Sequence, residues 1–218
     1  MYEGFSYKLI PVRNKVGTTN LGLVDALHLY DLMTNTFKWD AVSRRDYFVD
    51  YQNKYTFMGV SAQRSLFANV AGALIKAGEN EKALEILDKC TEAIPAENFP
   101  LDGIPLGFSG NNYMVVTMIE HYYALGQKEK ARALCTAFLN ELLVSTRFYL
   151  EFYEYAKSDF GLCRDYFYLL QDSLEKAGDD EMAKSANASF MAVIREFSPG
   201  SGSGGSGGGS GSGAGSES

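Results

Sequence analysis

Residues 76–83 read KAGENEKA, and two later stretches repeat the pattern: residues 124–131 read ALGQKEKA and residues 176–183 read KAGDDEMA. Each stretch has a glycine after one apolar helical segment and an alanine five residues later. A glycine just past a helix end can adopt the left-handed conformation that satisfies the last carbonyls, and a small alanine lets the next helix pack closely. The three stretches therefore predict three helical hairpins.

The first hairpin fits the 34-residue tetratricopeptide pattern. Aligned on Gly78, its signature positions are Phe67, Ala71, Leu74, Ala83, Leu87 and Pro95. The same alignment predicts the core positions Val115, Met118, Tyr122, Ala131, Cys135 and Phe138 in the second hairpin, and Phe167, Leu170, Leu174, Ala183 and Phe190 in the third. We expect an all-α fold of three tetratricopeptide-like stacked hairpins over residues 61–197. Such stacks usually bind other molecules rather than transform them.

The three glycines are not 34 residues apart, so segments are inserted between the hairpins. Residues 96–112 contain Pro100, Pro105 and three glycines, which predicts a loop. Residues 144–159 are rich in aromatic side chains and predict an additional helix. Long loops inside compact domains are often functional, so the first insertion is the leading candidate for a binding segment.

The two ends of the chain differ from the repeats. Residues 1–60 predict an N-terminal extended segment over 1–20 and an amphipathic helix over 21–37 with Leu23, Leu27, Tyr30, Met33 and Phe37 on its apolar face. A loop and short helix over 38–59 should cover the first hairpin. Residues 198–218 are almost entirely Gly and Ser and predict a disordered linker or tail.

The composition limits the partners. The net charge of −7 disfavours nucleic acid. No apolar run approaches the roughly 18–20 residues that cross a bilayer, so we expect a soluble fragment without membrane insertion of its own. The sequence also lacks a signal peptide, although Met1 followed directly by Tyr2 suggests a cut within a longer protein.

No pattern in the sequence predicts catalysis, a cofactor or a metal site. His28 and His121 have no metal-ligand spacing, and we expect helix-packing or surface roles for them. The three cysteines, Cys90, Cys135 and Cys163, fit small buried apolar side chains. The carboxylates from Asp179 onward fit the start of a helix, where negative charge is favourable.

The aromatic content is high, with 14 Tyr, 14 Phe and one Trp. These rings either line a groove that grips a partner or fill gaps between irregular hairpins. As candidate partner-binding residues we take aromatic side chains near the N-terminus and residues in and beside the first inserted loop. These are Tyr30, Trp39, Tyr47, Tyr51, Asp102, Asn111, Asn112 and Tyr113.

Several stretches resemble a known family. They are FSYKLIPV at residues 5–12, LYDLMTNTFKW at 29–39, YFVD at 47–50 and DKCTEAIP at 88–95. They are similar to the C-terminal region of Bacteroidetes multi-pass membrane proteins with a domain of unknown function that resembles protein O-mannosyltransferases. The match to the Phe-Lys-Trp block at residues 37–39 is the most specific, whereas Asp40 and Ala41 replace the Gly-Gly usual in that family.

The resemblance implies that the chain is a noncatalytic binding or scaffolding tail of a membrane glycosyltransferase-like protein. The chemistry would reside in the membrane half, and the tail would lie on the periplasmic face of the inner membrane. Its partner would be an acceptor protein or peptide, or that membrane half. The alternative is a free-standing tetratricopeptide-like adaptor that binds a peptide or partner protein.

Overall fold

The computed structural model describes residues 2–3, 6–7, 24–44, 46, 48, 50, 59, 63–107 and 110–198. Two short antiparallel strands, β1 (Tyr2–Glu3) and β2 (Ser6–Tyr7), precede the helices. The helices are α1 (Ala26–Asp31), α2 (Asp40–Ser43), α3 (Arg64–Lys76), α4 (Asn80–Ala93), α5 (Gly110–Ala124), α6 (Lys128–Glu151), α7 (Tyr153–Lys176) and α8 (Asp180–Glu196). The described residues thus confirm an all-α repeat fold, with the short strand pair in the predicted extended segment.

The three glycines end helices as predicted. Gly78, Gly126 and Gly178 have φ of 80°, 72° and 72°, in the left-handed region. At the first turn the Gly78 amide donates to the Ile75 carbonyl at 3.0 Å, and the next amide donates to the Leu74 carbonyl at 2.9 Å. The same pair of bonds recurs at the other two turns. This is the Schellman arrangement, which satisfies carbonyls that the helix end leaves free.

The helices pair as three hairpins, α3 with α4, α5 with α6 and α7 with α8. Their first helices pack in sequence, α3 on α5 and α5 on α7, while α6 also contacts α7 and α8. The positions predicted by the repeat alignment are all buried except Pro95, which is half-buried, and the buried set includes the alanines Ala83, Ala131 and Ala183. The tetratricopeptide-like register is therefore confirmed across all three hairpins.

The N-terminal helix is shorter than predicted and continues as a π-helical turn, Leu32–Thr36. Leu29 and Met33, four residues apart, are the buried positions, whereas Leu27, predicted on the apolar face, is exposed because α1 turns the side with Leu29 toward the core. Trp39 then packs on Phe67 of α3, with ring centroids 5.1 Å apart. The segment around α1 and α2 therefore covers the first hairpin, as expected for 38–59 where described.

The second insertion is not a separate helix, contrary to the prediction. Helix α6 continues to Glu151, the chain turns at Phe152, and α7 starts at Tyr153 with a kink at Ala156. Residues 144–159 contain no Gly or Pro, so both neighbouring helices extend through them. The aromatic residues consequently lie at the end of a long antiparallel helix pair.

The first insertion is a loop, although its last residues, 110–112, belong to the first turn of α5. Its described part contains a short 3₁₀ turn, Ile104–Leu106, that packs on α7. Among the described helices, none is long and apolar enough to cross a membrane. Residues 199–218, predicted to be a disordered tail, lie outside the described residues.

Candidate functional site

A buried arginine holds the first inserted loop in place. Arg64, at the start of α3, is 2% exposed. Its guanidinium donates to the carbonyls of Ile94 at 3.2 Å and Pro100 at 2.9 Å, and also to the Phe99 carbonyl. Burial lowers the pKa of this guanidinium. The five donors of an arginine suit this task, because one side chain can bind several carbonyls along a bend.

Helix α6 holds the same loop from the other side. The Glu141 carboxylate accepts the Leu101 amide at 2.7 Å and the Asp102 amide at 3.0 Å through the same oxygen. Burial raises the pKa of Glu141, and the two backbone hydrogen bonds oppose that shift. The loop is thus fixed between the first and second hairpins.

The structure brings three of the sequence candidates, Asp102, Asn111 and Asn112, together in one hydrogen-bonded cluster. Asn112 donates to Asp102 Oδ1 at 2.7 Å and accepts the Gly103 amide at 2.7 Å, while Asn111 donates to the Leu101 carbonyl at 2.6 Å. All three side chains are buried. They therefore present no surface to a partner in this structure, and they hold the loop instead.

The other sequence candidates are dispersed. Trp39 is buried and donates from Nε1 to the Met33 carbonyl at 3.0 Å, so it is a packing residue rather than a contact surface. Tyr30 is half-buried and donates to the Glu85 carboxylate of α4, which raises the pKa of Tyr30 to about 12. Tyr113 is exposed on α5. Tyr47 and Tyr51 lie outside the described residues.

A buried ion pair joins the second and third hairpins. Asp179 accepts from Arg132 at 2.6 and 2.7 Å and from the Tyr123 hydroxyl at 2.8 Å. It also caps α8 by accepting the Met182 amide, which confirms the predicted capping role. Hydrogen bonds from Arg132 hold the pKa of Asp179 well below its usual range, against the opposing effect of burial.

The first helices of the second and third hairpins form a further surface, of which only Tyr113 was among the sequence candidates. On α5 the residues Tyr113, Thr117, Glu120 and Ala124 follow helical spacing along one side. On α7 the matching row is Leu162, Tyr166, Leu169 and Ser173. The two rows meet where the Ser173 hydroxyl donates to Glu120 at 2.6 Å. We call these eight residues the first-helix face.

The two ends of the first-helix face differ in polarity. At one end a depression of about 450 Å³ is lined by Glu120, Tyr123, Ala124, Ser173, Lys176 and Ala177. Two turns earlier, Tyr113 is exposed on α5, and Leu162 and Tyr166 are partly exposed on α7. For α5 the repeat alignment combined with the helical period would have indicated this row, because it lies opposite Val115, Met118 and Tyr122, which pack inside the hairpin.

The described residues contain no group of three or more His, Cys, Asp or Glu that could hold a metal ion. The His121 ring packs over Gly72 with Nε2 3.1 Å from the Ala68 carbonyl, and burial lowers its pKa. The three cysteines are buried, and burial raises the pKa of each thiol to about 12, which keeps them protonated and unreactive.

Comparisons of the chain with protein-family models, with curated proteins and with solved structures each found no match. The fold itself defines the class: an all-α protein of stacked, tetratricopeptide-like helical hairpins. The resemblance to the tail of Bacteroidetes membrane proteins stays a prediction.

Proposed function

We propose that this chain is a noncatalytic binding or scaffolding domain that holds an extended segment of a partner protein on the first-helix face. The observation that carries the proposal is the row of exposed and half-exposed side chains along α5 and α7, in which Ser173 alone is buried, with Tyr113 and Leu162 at one end and Glu120 at the other. Stacked helical repeats bind their partners on such extended surfaces.

The apolar end supplies contact area. Tyr113 and Tyr166 are rigid and amphipathic, so they can cover a partner side chain with little loss of conformational entropy. Leu162 adds an aliphatic surface beside them. A partner segment with one or two apolar anchors fits this end.

The polar end supplies orientation. Glu120 and Ser173 are already linked by a hydrogen bond, and Lys176 pairs with Asp172 at 2.5 Å, which raises the pKa of the lysine. The exposed carboxylate of Glu120 and the exposed ammonium group of Lys176 can bind the amides and carbonyls that an extended peptide leaves free, whereas the buried Ser173 hydroxyl orients Glu120. The depression of about 450 Å³ lies within the 300–1,000 Å³ usual for ligand sites.

A peptide-display selection against the immobilised chain tests this proposal. Selected peptides should perturb the NMR signals of Tyr113, Glu120 and Ser173, and Tyr113→Ala or Glu120→Arg should weaken binding about tenfold. Tyr168→Ala is the matched control, because Tyr168 is an exposed tyrosine of α7 outside the first-helix face. Peptides that bind elsewhere, or variants that bind unchanged, would refute the assignment.

We further propose, from the family resemblance, that the chain belongs to a longer membrane glycosyltransferase-like protein and presents an acceptor protein, or its own membrane half, on this surface. The alternative is a free-standing adaptor for a peptide or partner protein. Reading the gene upstream of the codon for Tyr2 separates them: several membrane spans there favour the first, and a start codon preceded by a ribosome-binding site favours the second. Glycosyl transfer by the isolated chain would contradict both.

A further inference from the structure

A small pocket lies between the second helices of the first and second hairpins. Helix α6 packs on α8, but α4 and α6 make few direct contacts with each other. The loop over 96–112 lies between these two hairpins, where Arg64 and Glu141 hold it. The space that remains is a pocket of about 110 Å³, lined by residues of α3, α4, α5 and α6 and by the loop.

Most of the pocket wall is apolar. The buried apolar side chains that line it are Cys90, Ile94, Leu101, Val115 and Met118. Ala96, Leu134 and Ala137 also line it and are half-buried, so a small molecule can enter from solvent between them. An apolar cavity of about 150 Å³ holds a molecule of the size of benzene, so this pocket fits about four or five non-hydrogen atoms.

One charged side chain, Arg64, belongs to the same wall. Its two terminal nitrogens donate to three backbone carbonyls and to the Asn111 amide oxygen, whereas Nε has no acceptor among the described residues. A buried N–H group without an acceptor is unfavourable, and a ligand in the pocket could supply one. The chemistry of the wall therefore selects a ligand with an apolar body and one acceptor group.

The charge of Arg64 selects an anionic acceptor. The carbonyls that bind the guanidinium carry no net charge, and the Cys90 thiol is protonated because burial raises its pKa to about 12. Glu141 attracts Arg64 only from the far side of the peptide group between Pro100 and Leu101. Burial lowers the pKa of Arg64, and this attraction only partly opposes the shift. A buried cation that no anion contacts is costly, and a charge-assisted bond from a ligand would reduce that cost.

We propose that this pocket binds a small alkyl carboxylate of about three carbons, with its carboxylate at Arg64 Nε and its alkyl chain against Val115 and Met118. The ligand would contact both hairpins and the loop between them, so binding should stabilise their packing. The lining residues of α4 and α6 belong to the second helices, so the first-helix face stays free when the pocket is filled.

An NMR titration of the full chain with sodium propionate at constant ionic strength tests the proposal. We expect saturable shifts of the Val115 and Met118 methyl signals, with a Kd of about 1–10 mM for so small a ligand. Propionamide has nearly the same shape but no charge. It should bind at least about tenfold more weakly, because it cannot form a charge-assisted bond with Arg64.

A pair of variants on α6 locates the binding site. Ala137→Leu should abolish the saturable shifts, because the larger side chain fills the pocket from its half-buried edge. Ala133→Leu adds the same side chain at an exposed position of α6 that does not line the pocket, and it should leave the Kd unchanged. Arg64 itself stays unchanged in this test, because the loop depends on it. Circular dichroism shows whether both variants keep their helical content.

Three results would overturn the proposal. Propionate that causes no saturable shift shows that the pocket does not take a carboxylate. Equal affinity for propionamide shows that Arg64 does not recognise the ligand, and this comparison needs no variant. Unchanged binding to a folded Ala137→Leu chain shows that the site lies elsewhere.

Discussion

At the scale of single residues, the fold depends on a few buried polar side chains that bind backbone. Arg64 reaches carbonyls 30 to 36 residues away in sequence, and Glu141 reaches amides 39 and 40 residues away. Arg64 binds the carbonyl and Glu141 the amide of the peptide group between Pro100 and Leu101, so both side chains hold the same loop. On burial the backbone of the loop loses its hydrogen bonds to water, and the Arg64 and Glu141 side chains replace them.

Replacing Arg64 should therefore be costly. Arg64→Met keeps the apolar stem but leaves buried carbonyls without donors, so we expect a loss of about 3 kcal/mol in the free energy of unfolding. Urea unfolding, monitored by circular dichroism, measures this loss of stability. Arg164→Met, at a half-exposed arginine of α7, should change stability by less than about 0.5 kcal/mol. Equal effects of the two substitutions would mean that the loop does not need Arg64.

Asp179 should make stability depend on pH. Because the folded-state pKa of Asp179 is lowered, its contribution is complete above the unfolded pKa of about 4 and is lost as the pH falls through the folded value. Asp179→Asn keeps a capping side chain, and we expect it to cost about 2 kcal/mol at pH 7.

The difference between the original chain and Asp179→Asn should shrink below about pH 4, as seen in urea unfolding at a series of pH values. Asp180→Asn is the control, since Asp180 is exposed in the same helix turn and should contribute less than about 1 kcal/mol. A constant difference between pH 7 and pH 2 would contradict the assigned ion pair.

At the scale of the elements, the glycine turns decide where each hairpin reverses. A side chain at Gly78, Gly126 or Gly178 would have no atom within 4 Å, so the need for glycine is conformational and not steric. The cost of substitution is then the cost of a left-handed backbone alone.

Two glycine substitutions should change the stability of the fold in opposite directions. Gly126→Ala should destabilise the fold by about 1 kcal/mol, because alanine at a φ of 72° is strained. Gly161→Ala should stabilise it by about 0.5–1 kcal/mol, because Gly161 lies inside α7 with open space around its Cβ position. Thermal unfolding of both variants compares them directly, and a shift in the same direction for both would refute this explanation.

Much of the arrangement of helices and turns could be predicted from the sequence, because the sequence patterns that indicate it are local. The glycine turns, the small alanines and the apolar spacing around Phe67 or Phe167 each lie within one hairpin. The roles of Arg64 and Glu141 could not be predicted, since their partners are distant in sequence and are backbone groups. The extension of α6 and α7 through residues 144–159 was not predicted, although the absence of Gly and Pro from this stretch indicated it.

At the scale of the whole molecule, contacts between hairpins should make the three repeats unfold together. Tyr122 of the second hairpin donates to Asp88 of the first at 3.1 Å, and Arg132 binds Asp179 of the third. The loop held by Arg64 and Glu141 adds a further link. Repeat proteins unfold stepwise only when such neighbour contacts are weak.

The cysteines test this cooperativity, because Cys90, Cys135 and Cys163 lie in different hairpins and all are buried. At a reagent concentration high enough for labelling to outpace refolding, we expect one common labelling rate equal to the rate of global unfolding, because each thiol reacts only when it is exposed and ionised. Mass spectrometry of the labelled peptides measures each rate. Faster labelling of Cys163 alone would show that the third hairpin opens independently.

The position of Trp39 has a practical consequence. It is the one tryptophan of the chain, and its indole is buried between Phe37 and Phe67 while Nε1 is bonded to the Met33 carbonyl. Intrinsic fluorescence therefore reports the docking of the N-terminal segment on α3, whereas the helical signal comes mostly from the six helices of the hairpins. Any separation between the two optical transitions would measure how firmly that segment is attached to the repeats.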